Sequence, residues 1–367
     1  MLRRSLALLA LVAIPATGCT KVTMVDNVEF DLQWFVPFTG PSNDLHSPYV
    51  AGAGIKLYAD STNSSEDMTG WTFQTSDPSV FAIQDQAVSA VGHEKQLSAD
   101  AVAMSAGSAT LRIVDIDGKE RAAQTVEVKV PDQAAVLAHG PLIIGHPDGD
   151  ARTTGPAILA GGTATFLVKW YAGGQELSGN GVLSLQAPAD VTATAETTAF
   201  LVNREWLQVT APATPGQRTV ALFADGHQVT TLPIDVVDPS AIDHLRLEGQ
   251  NESGVSDGSW LVVLAGAFDA GGRPIYGVEY SFDVDGTAQS GMGDLYRYQF
   301  KAGTPHMLTA SSAGQTAQAT IHSGMGYVDS TNNVGCSATG ARGGMGTVLC
   351  VGLALLGMRL RRRRAAR

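Results

Sequence analysis

Thiol chemistry is confined to the two ends of this chain, because its three cysteines are Cys19, Cys336 and Cys350. Cys19 follows an apolar stretch at residues 6–14, and Cys336 follows Gly335. A thiol can accept a lipid or mark a cleavage point, whereas a disulfide needs two cysteines that can meet. No cysteine lies between Cys19 and Cys336, so no disulfide can cross-link the body of the chain. The cysteines therefore indicate processing sites rather than a disulfide framework.

The first 19 residues have the pattern of an export signal. A short basic start precedes the apolar stretch, small residues precede Cys19, and such a segment is removed after export. Ala16-Thr17-Gly18-Cys19 resembles a bacterial lipobox. That resemblance implies that the Cys19 thiol receives a diacylglycerol before cleavage. Ordinary signal-peptide cleavage near this position is the alternative.

The C-terminal end carries a second processing pattern. Residues 345–358 form an uncharged run, which as a helix covers about 21 Å, less than the ~30 Å of a bilayer core. Arginines follow this run, and we expect them to stay cytoplasmic. Gly335-Cys336, a Gly-rich spacer, a short apolar helix and terminal arginines together resemble the myxobacterial C-terminal sorting signal, MYXO-CTERM.

This resemblance implies that a membrane protease processes the chain at Cys336. Gly335 would let the backbone enter the protease site, because glycine has no Cβ. The family often has a second cysteine beside the first, where this chain has Val334. A plain single-span anchor is the alternative interpretation.

Catalytic spacings are absent from the sequence. It has no His-Glu-x-x-His, Cys-x-x-Cys, Gly-x-Ser-x-Gly or phosphate-loop motif, and its eight histidines are scattered singly. Residues 115–118 and 283–286, both Asp-x-Asp-Gly, look like fragments of calcium loops, but their glycine is fourth rather than sixth. Tight turns explain both with fewer assumptions. We therefore expect no catalytic residue and no cofactor.

One acidic group is singled out as a metal candidate. Asp235, Asp238 and Asp243 lie near a predicted domain border, where a calcium ion could hold two neighbouring domains rigidly. We predict no metal site in this chain, and these three carboxylates are the candidates against which that prediction is tested.

The formal net charge of −11 hides an uneven distribution. Nine of the 24 Lys and Arg residues lie within residues 3–4 and 342–367, which leaves 15 against 35 acidic residues, a charge of −20. So acidic a body repels nucleic-acid phosphates and anionic lipid surfaces. We therefore expect no nucleic-acid partner.

Between the two ends, apolar and polar residues alternate as they do in strands, without a long helical periodicity. The alternation is clear in residues 28–34, and residues 111–130 contain two such runs around Asp117-Gly118, a hairpin signal. Pro131-Asp132 and Asp238-Pro239 each follow a Val-rich run, and we place domain borders there. The pieces of roughly 100 residues have the usual size of an immunoglobulin-like sandwich.

Two stretches of sequence support this architecture by resemblance. SDPSVFAI (residues 76–83) and SAGSATLRI (residues 105–113) resemble the second type of bacterial Ig-like repeat. Residues 92–104 are an insert where that family turns at once, which puts the local strand pairing in question. FDAGGRPIYGVEYSF (residues 268–282) is similar to the invasin-type Ig-like repeat. The middle piece fits by pattern alone.

The predicted fold class is all-β, with tandem immunoglobulin-like β-sandwiches and a C-terminal apolar sorting helix. Trp71, Trp170 and Trp260 lie on or beside apolar strands, which predicts core packing rather than sugar stacking. The predicted segments are a signal peptide (1–19), three Ig-like domains (20–131, 132–239 and 240–322), a Gly-rich linker with the sorting Gly-Cys (323–344), and an apolar helix with an Arg-rich tail (345–367).

These observations predict a non-enzymatic protein of the outer membrane or cell surface of a Gram-negative bacterium, transiently held in the inner membrane. Its role would be adhesive or structural. The expected partners are the export and sorting machinery, outer-membrane lipid, and a surface protein or glycan that the sequence does not identify. The alternative is a carbohydrate-binding or enzymatic envelope protein with a site in loops such as 92–104 or 145–155.

Overall fold

The fold is nearly all β, as predicted, and the one helical element among the described residues is a 3₁₀ turn at Pro239–Ala241. Within the same part of the chain, no helix is long and apolar enough to cross a membrane. The apolar sorting helix predicted at 345–367 lies outside the described residues. The computed structural model describes residues 22–26, 45–61, 67–91, 94–138, 151–197, 205–251, 260–291, 295–299, 305–321 and 327–329.

Two four-stranded sheets form the first sandwich. In spatial order, sheet A contains β1 (Val22–Asp26), β3 (Gly54–Ser61), β6 (Glu94–Ala103) and β5 (Phe81–Val91). Sheet B contains β2 (Tyr49–Val50), β8 (Glu120–Lys129), β7 (Gly107–Val114) and β4 (Thr72–Thr75). Leu57 and Leu97 of sheet A pack with Leu111 and Val126 of sheet B in one core, which is how two half-buried sheets exclude water.

The predicted hairpin at Asp117-Gly118 is confirmed, because β7 and β8 pair antiparallel across this turn. Gly118 has φ +79°, the region that glycine enters most readily. The Asp115 Oδ1 accepts hydrogen bonds from the N–H groups of Asp117 and Lys119 at 3.0 and 2.9 Å. Asp115 therefore stabilises the turn, and this role explains the Asp-x-Asp-Gly pattern without a calcium ion.

The insert at residues 92–104 does not interrupt the sheet. Residues 94–103 form β6, which pairs antiparallel with both β5 and β3. Leu97, Ala99, Ala101 and Ala103 are all buried, so every second residue faces the core, as a half-buried strand requires. The prediction that residues 92–104 form a loop is therefore wrong over residues 94–103, which form a strand.

The remaining strands form three sheets around two further large cores, and a small apolar cluster of Ala135, Leu137, Leu167 and Trp206 lies on sheet C. Sheet C contains β10 (Ala151–Arg152), β9 (Gln133–Ala138), β12 (Thr163–Ala172), β16 (Glu205–Thr210) and β15 (Thr192–Thr197), with β13 (Gln175–Leu177) beside β12. Sheet E contains β23 (Thr287–Gln289), β22 (Ser281–Val284), β25 (His306–Ser312) and β26 (Gln315–Ile321).

Sheet D has nine strands and serves both of these cores. One end packs against sheet C to form the second sandwich, and the other end packs against sheet E to form the third. Its strands are, in spatial order, β14 (Leu183–Gln186), β17 (Gly216–Ala224), β18 (His227–Val237), β11 (Ala157–Leu159), β21 (Pro274–Tyr276), β20 (Trp260–Phe268), β19 (His244–Asn251) and β27 (Tyr327–Asp329), with β24 (Leu295–Gln299) beside β20.

Of the three tryptophans predicted to pack in cores, the two whose side chains are described do so. Trp71 belongs to the first core and Trp170 to the second, with exposed fractions of 5 % and 2 %. The side chain of Trp260 and the strand predicted at residues 28–34 lie outside the described residues. The predicted domain ranges remain predictions. A continuous sheet joins the strands on either side of the border placed at residue 239.

Candidate functional site

Main-chain and side-chain contacts join the sandwiches where one meets the next. The first junction is formed by residues 48–54 of the first sandwich and 173–182 of the second. The second junction is formed by residues 156–162 of the second sandwich and 269–277 of the third. In each, a strand of two or three residues hydrogen-bonds to both sandwiches.

Main-chain hydrogen bonds cross the first junction. The N–H of Val50 donates to the carbonyl of Ser178 at 2.8 Å, and the N–H of Ser178 donates to the carbonyl of Pro48 at 2.9 Å. The N–H of Gly54 donates to the carbonyl of Asn180 at 3.1 Å. On its other edge, β2 pairs in parallel with β8, the last strand of its own sandwich. The strand β2 thus lies between the two sandwiches and bonds to both.

Close packing accompanies these bonds. Val50 and Ala53 are fully buried and pack in the core of the second sandwich, although they belong to the first. Gly179 has φ +108°, and a Cβ at this position would lie 2.5 Å from the Cβ of Ala53. No residue other than glycine fits there without moving the two sandwiches apart.

The second junction repeats this arrangement with a longer pairing. The strand β11 is parallel both to β18 of its own sandwich and to β21 of the next. Ala157 packs in the core of the third sandwich, whereas its neighbour Ile158 packs in the core of the second. Because successive side chains of a strand point to opposite faces, β11 contributes to two cores at once.

Arg273 of the third sandwich links that sandwich to the second. Its Nη1 lies 2.8 Å from Oδ2 of Asp235 on β18, and its Nε lies 3.0 Å from Oδ2 of Asp269. The Asp269 Oδ1 also accepts hydrogen bonds from the N–H groups of Gly271 and Arg273, both at 2.9 Å. The bond from the Arg273 N–H is the main cause that holds the pKa of Asp269 below its usual range. A formed turn therefore aims the guanidinium at the neighbouring sandwich.

Two further contacts close the second junction. The ring of Tyr276 meets the ring of Phe166 edge to face, with centroids 5.5 Å apart, and burial raises the pKa of the Tyr276 phenol to about 12. A Cβ on Gly162 would collide with the carbonyl oxygen of Gly277. The phenol therefore stays neutral at physiological pH, and the backbones approach as only glycine permits.

A short sequence signal marks the receiving side of both junctions. The second sandwich carries Gly-Gly-Gln-Glu-Leu-Ser-Gly at residues 173–179, and the third carries Gly-Gly-Arg-Pro-Ile-Tyr-Gly at 271–277. The donating strands each follow a proline, Pro48 or Pro156, and precede a Gly-containing turn. The second of these segments lies within the stretch that resembles the invasin-type repeat, and the sequence alone did not predict that either segment receives a strand of the preceding sandwich.

A buried carboxylate supports the receiving loop of the first junction. Glu205 has an exposed fraction of 2 %. Its Oε1 accepts a hydrogen bond from the N–H of Val182 at 2.6 Å, and its Oε2 accepts one from Nε1 of Trp170 at 3.3 Å. Burial is the main cause that raises the pKa of Glu205, and the backbone hydrogen bonds oppose it. Glu205 thereby ties the loop after Asn180 to the core of the second sandwich.

The structure does not bring the predicted metal candidates together. Asp235 pairs with Arg273, Asp238 caps the 3₁₀ turn by accepting from the N–H of Ser240 at 3.0 Å, and Asp243 contacts His244 at 3.0 Å. In the part of the chain that the structure describes, no group of three or more His, Cys, Asp or Glu side chains could hold a metal ion. Cys19, Gly335 and Cys336 lie outside that part.

The second Asp-x-Asp-Gly segment also serves a turn. The Oδ1 of Asp283 accepts from the N–H of Gly286 at 3.0 Å. The Oδ2 of Asp285 lies 2.6 Å from Nδ1 of His306, and its Oδ1 accepts from the N–H of Met307 at 2.8 Å. The hydrogen bond with His306 is the main cause that lowers the pKa of Asp285. These contacts hold the β22–β23 hairpin against β25.

No family model matches the chain, and neither does any curated protein. Among solved structures, 81 % of the chain is similar to 93 % of a solved chain of the Escherichia coli adhesin FdeC, at 12 % identity and a TM-score of 0.26. Domains 4–9 of the surface-layer protein SbsC match 82 % of the chain at 14 % identity and a TM-score of 0.31. The chain covers 46 % of that fragment, less than half of its length.

Titin domains A168–A170 give a third similarity, covering 74 % of this chain and 92 % of that fragment at 13 % identity and a TM-score of 0.18. At these identities and TM-scores, the similarities assign neither a family nor a function. The architecture rests on the sheets and cores of the chain itself.

Proposed function

We propose that this chain is an exported, non-enzymatic protein of the bacterial cell surface, with a structural or adhesive role, built from three immunoglobulin-like sandwiches. The observation that carries the proposal is the repeated junction, in which one short strand bonds to two sandwiches. An enzyme needs convergent reactive groups, whereas a surface scaffold needs fixed relations between its modules. The junction contacts fix the relation between neighbouring modules, as a surface scaffold requires.

The junctions support this role because they resist separation of the modules. Parting the first two sandwiches would expose Val50 and Ala53 to water and break three main-chain hydrogen bonds. Parting the second and third would expose Ala157 and break both the β11–β21 pairing and the ion pair between Arg273 and Asp235. Buried apolar surface and unmade hydrogen bonds both oppose such a separation.

The ends of the chain complete the proposal. Lipidation at Cys19 would attach the protein to the outer membrane, with removal of the signal peptide. Processing at Cys336, beside Gly335, would release the C-terminal label from the inner membrane. In this scheme the partners are the export and sorting machinery, membrane lipid, and a surface protein or glycan, and no cofactor takes part.

The test compares cells that lack the gene with cells that carry the parent chain, Gly179→Leu or Gly54→Ala. The leucine would push the first two sandwiches apart, whereas a Cβ on Gly54 meets nothing within 4 Å. We expect deletion to slow cell–cell agglutination, the parent and Gly54→Ala to restore it, and Gly179→Leu to fail at an equal surface level. Normal agglutination and envelope integrity after deletion would contradict the proposal.

A further inference from the structure

Among the described residues, strand β26 is an edge of the third sandwich that lacks the usual protections against pairing. It lies at the end of sheet E and, within the described residues, pairs with β25 alone. The outer edge of such a strand presents N–H and C=O groups that can bond to another strand. Edge strands therefore usually carry a charge, a proline or a bulge, or are very short.

The other edge strands of the described structure have these protections. Strand β5 carries Asp85 and an irregular register between Ile83 and Gln86. Charged residues also lie in β1, β10, β13, β15, β24 and β27. Strands β2, β4, β14 and β23 have four residues or fewer. Among these edges, β26 alone is seven residues long with no charge, proline, glycine or register shift.

The sequence of β26 is also symmetric about its centre. Residues 316–320 read Thr-Ala-Gln-Ala-Thr. In an antiparallel pairing of two copies centred on Gln318, Thr316 would lie opposite Thr320, Ala317 opposite Ala319, and Gln318 opposite Gln318. Opposed threonines stabilise antiparallel pairs, and a two-fold interface requires this self-complementarity. Here Ala317 and Ala319 are buried in the core, so the polar residues form the shared outer face.

The absence of charge on β26 permits a second copy to approach at this edge. The body of the chain is strongly acidic, so two copies repel each other wherever acidic surfaces meet. The neighbours of β26 on the same face of β25 are Met307, Thr309 and Ser311, which are uncharged. The His306–Asp285 pair lies at the Ile321 end of the strand, outside residues 316–320.

We propose that β26 pairs antiparallel with β26 of a second copy of this chain, about a two-fold axis at Gln318, and joins the two copies of sheet E into one eight-stranded sheet. This rests on the adhesive role proposed above and deepens it, because it names a second copy as the surface partner. Copies on neighbouring cells, or beside each other on one cell, would meet through the third sandwich.

The first test measures the mass of the full-length chain in detergent by sedimentation at about 100 µM. We expect a dimer for the parent and a monomer for Gln318→Lys, which places two like charges opposite each other. Gln74→Lys is the matched control, since Gln74 is also exposed on an edge strand, β4, and it should remain dimeric. A monomeric parent, or a dimer unaffected by Gln318→Lys, would overturn the proposal.

The second test fixes the register. Opposed residues of antiparallel strands have Cα atoms about 4.5–5.5 Å apart, within the range that a disulfide spans. Under mild oxidation, Gln318→Cys should form a covalent dimer, whereas Gln74→Cys and the parent with its native cysteines should not. A parent dimer without this cross-link would place the interface elsewhere. Loss of agglutination on deletion, together with a monomeric parent, would reject the strand pairing and leave the proposed function standing.

Discussion

The guanidinium of Arg273, in the third sandwich, lies 2.8 Å from the carboxylate of Asp235, in the second. It also lies 3.0 Å from Asp269, which organises the turn that carries it. The pair therefore links two modules through a side chain that its own turn orients. Arg273 is 44 % exposed, so solvent screens the attraction and its contribution is modest.

Replacing Arg273 with alanine should weaken the second junction without unfolding either sandwich. We expect a loss of about 0.2–1 kcal/mol, the range typical of exposed ion pairs, seen as a small fall in the melting temperature of the second and third sandwiches. Differential scanning calorimetry of the full-length chain measures it. Arg112→Ala is the control, because Arg112 pairs with Glu120 inside the first sandwich. If Arg273→Ala lowered the melting temperature of the first sandwich as much as that of the second and third, the role of Arg273 at the second junction would be contradicted.

Gly162→Ala should have a larger effect at the same junction. The added Cβ would collide with the carbonyl oxygen of Gly277, so β11 and β21 must separate and the shared sheet should split. We expect the unfolding of the second and third sandwiches to become less cooperative and to start at a lower temperature. Gly155→Ala, whose Cβ meets nothing closer than 3.9 Å, should behave like the parent. Identical melting curves for both variants would refute the close approach.

Glu205 should give the second sandwich a distinct dependence on pH. Burial raises the folded pKa of Glu205 above its usual value of 4.5, so its contribution to stability is fully present below that value and is lost as pH rises through the folded pKa. In urea unfolding, the stability of the parent relative to Glu205→Gln should therefore fall as pH rises above about 4.5. A constant difference between the two proteins across this range would show that Glu205 does not titrate there.

Cys19→Ser should prevent attachment of lipid if the lipobox resemblance is right. The thiol is the acceptor of the diacylglycerol, and serine offers no equivalent nucleophile to the enzyme. Labelling of cells with an alkyne fatty acid should tag the parent and leave most of the variant untagged. Equal labelling of Cys19→Ser, with Cys336 also replaced, would exclude both cysteines as acyl sites.

Much of the fold could be predicted from local patterns, and the junctions could not. The hairpin at Asp117-Gly118 and the core positions of Trp71 and Trp170 follow from turn chemistry and alternation, which act over a few residues. Strand β2 is only Tyr49–Val50, too short to show a period, and its partner Ser178 lies far along the chain. The pairing of such a strand depends on packing between two sandwiches, and a local sequence pattern does not predict it.

Glu205 shows the same limit from another side. It begins β16, and a charged residue at that position is normally placed in solvent. The strand instead delivers it to the end of the core, where the N–H of Val182 and the indole of Trp170 bind its carboxylate. This environment forms because the loop after Asn180 packs against the start of β16, and the sequence of β16 does not predict that contact.

Surface labelling of intact cells tests the central claim most directly. A membrane-impermeant amine reagent should reach Lys56 and Lys129, whose side chains are 41 % and 36 % exposed, without lysis of the cells. Mass spectrometry should then find both modified lysines in the protein recovered from intact cells, at the same level as after lysis. Modification of these lysines only after the cells are broken would place the sandwiches inside the cell and contradict the account.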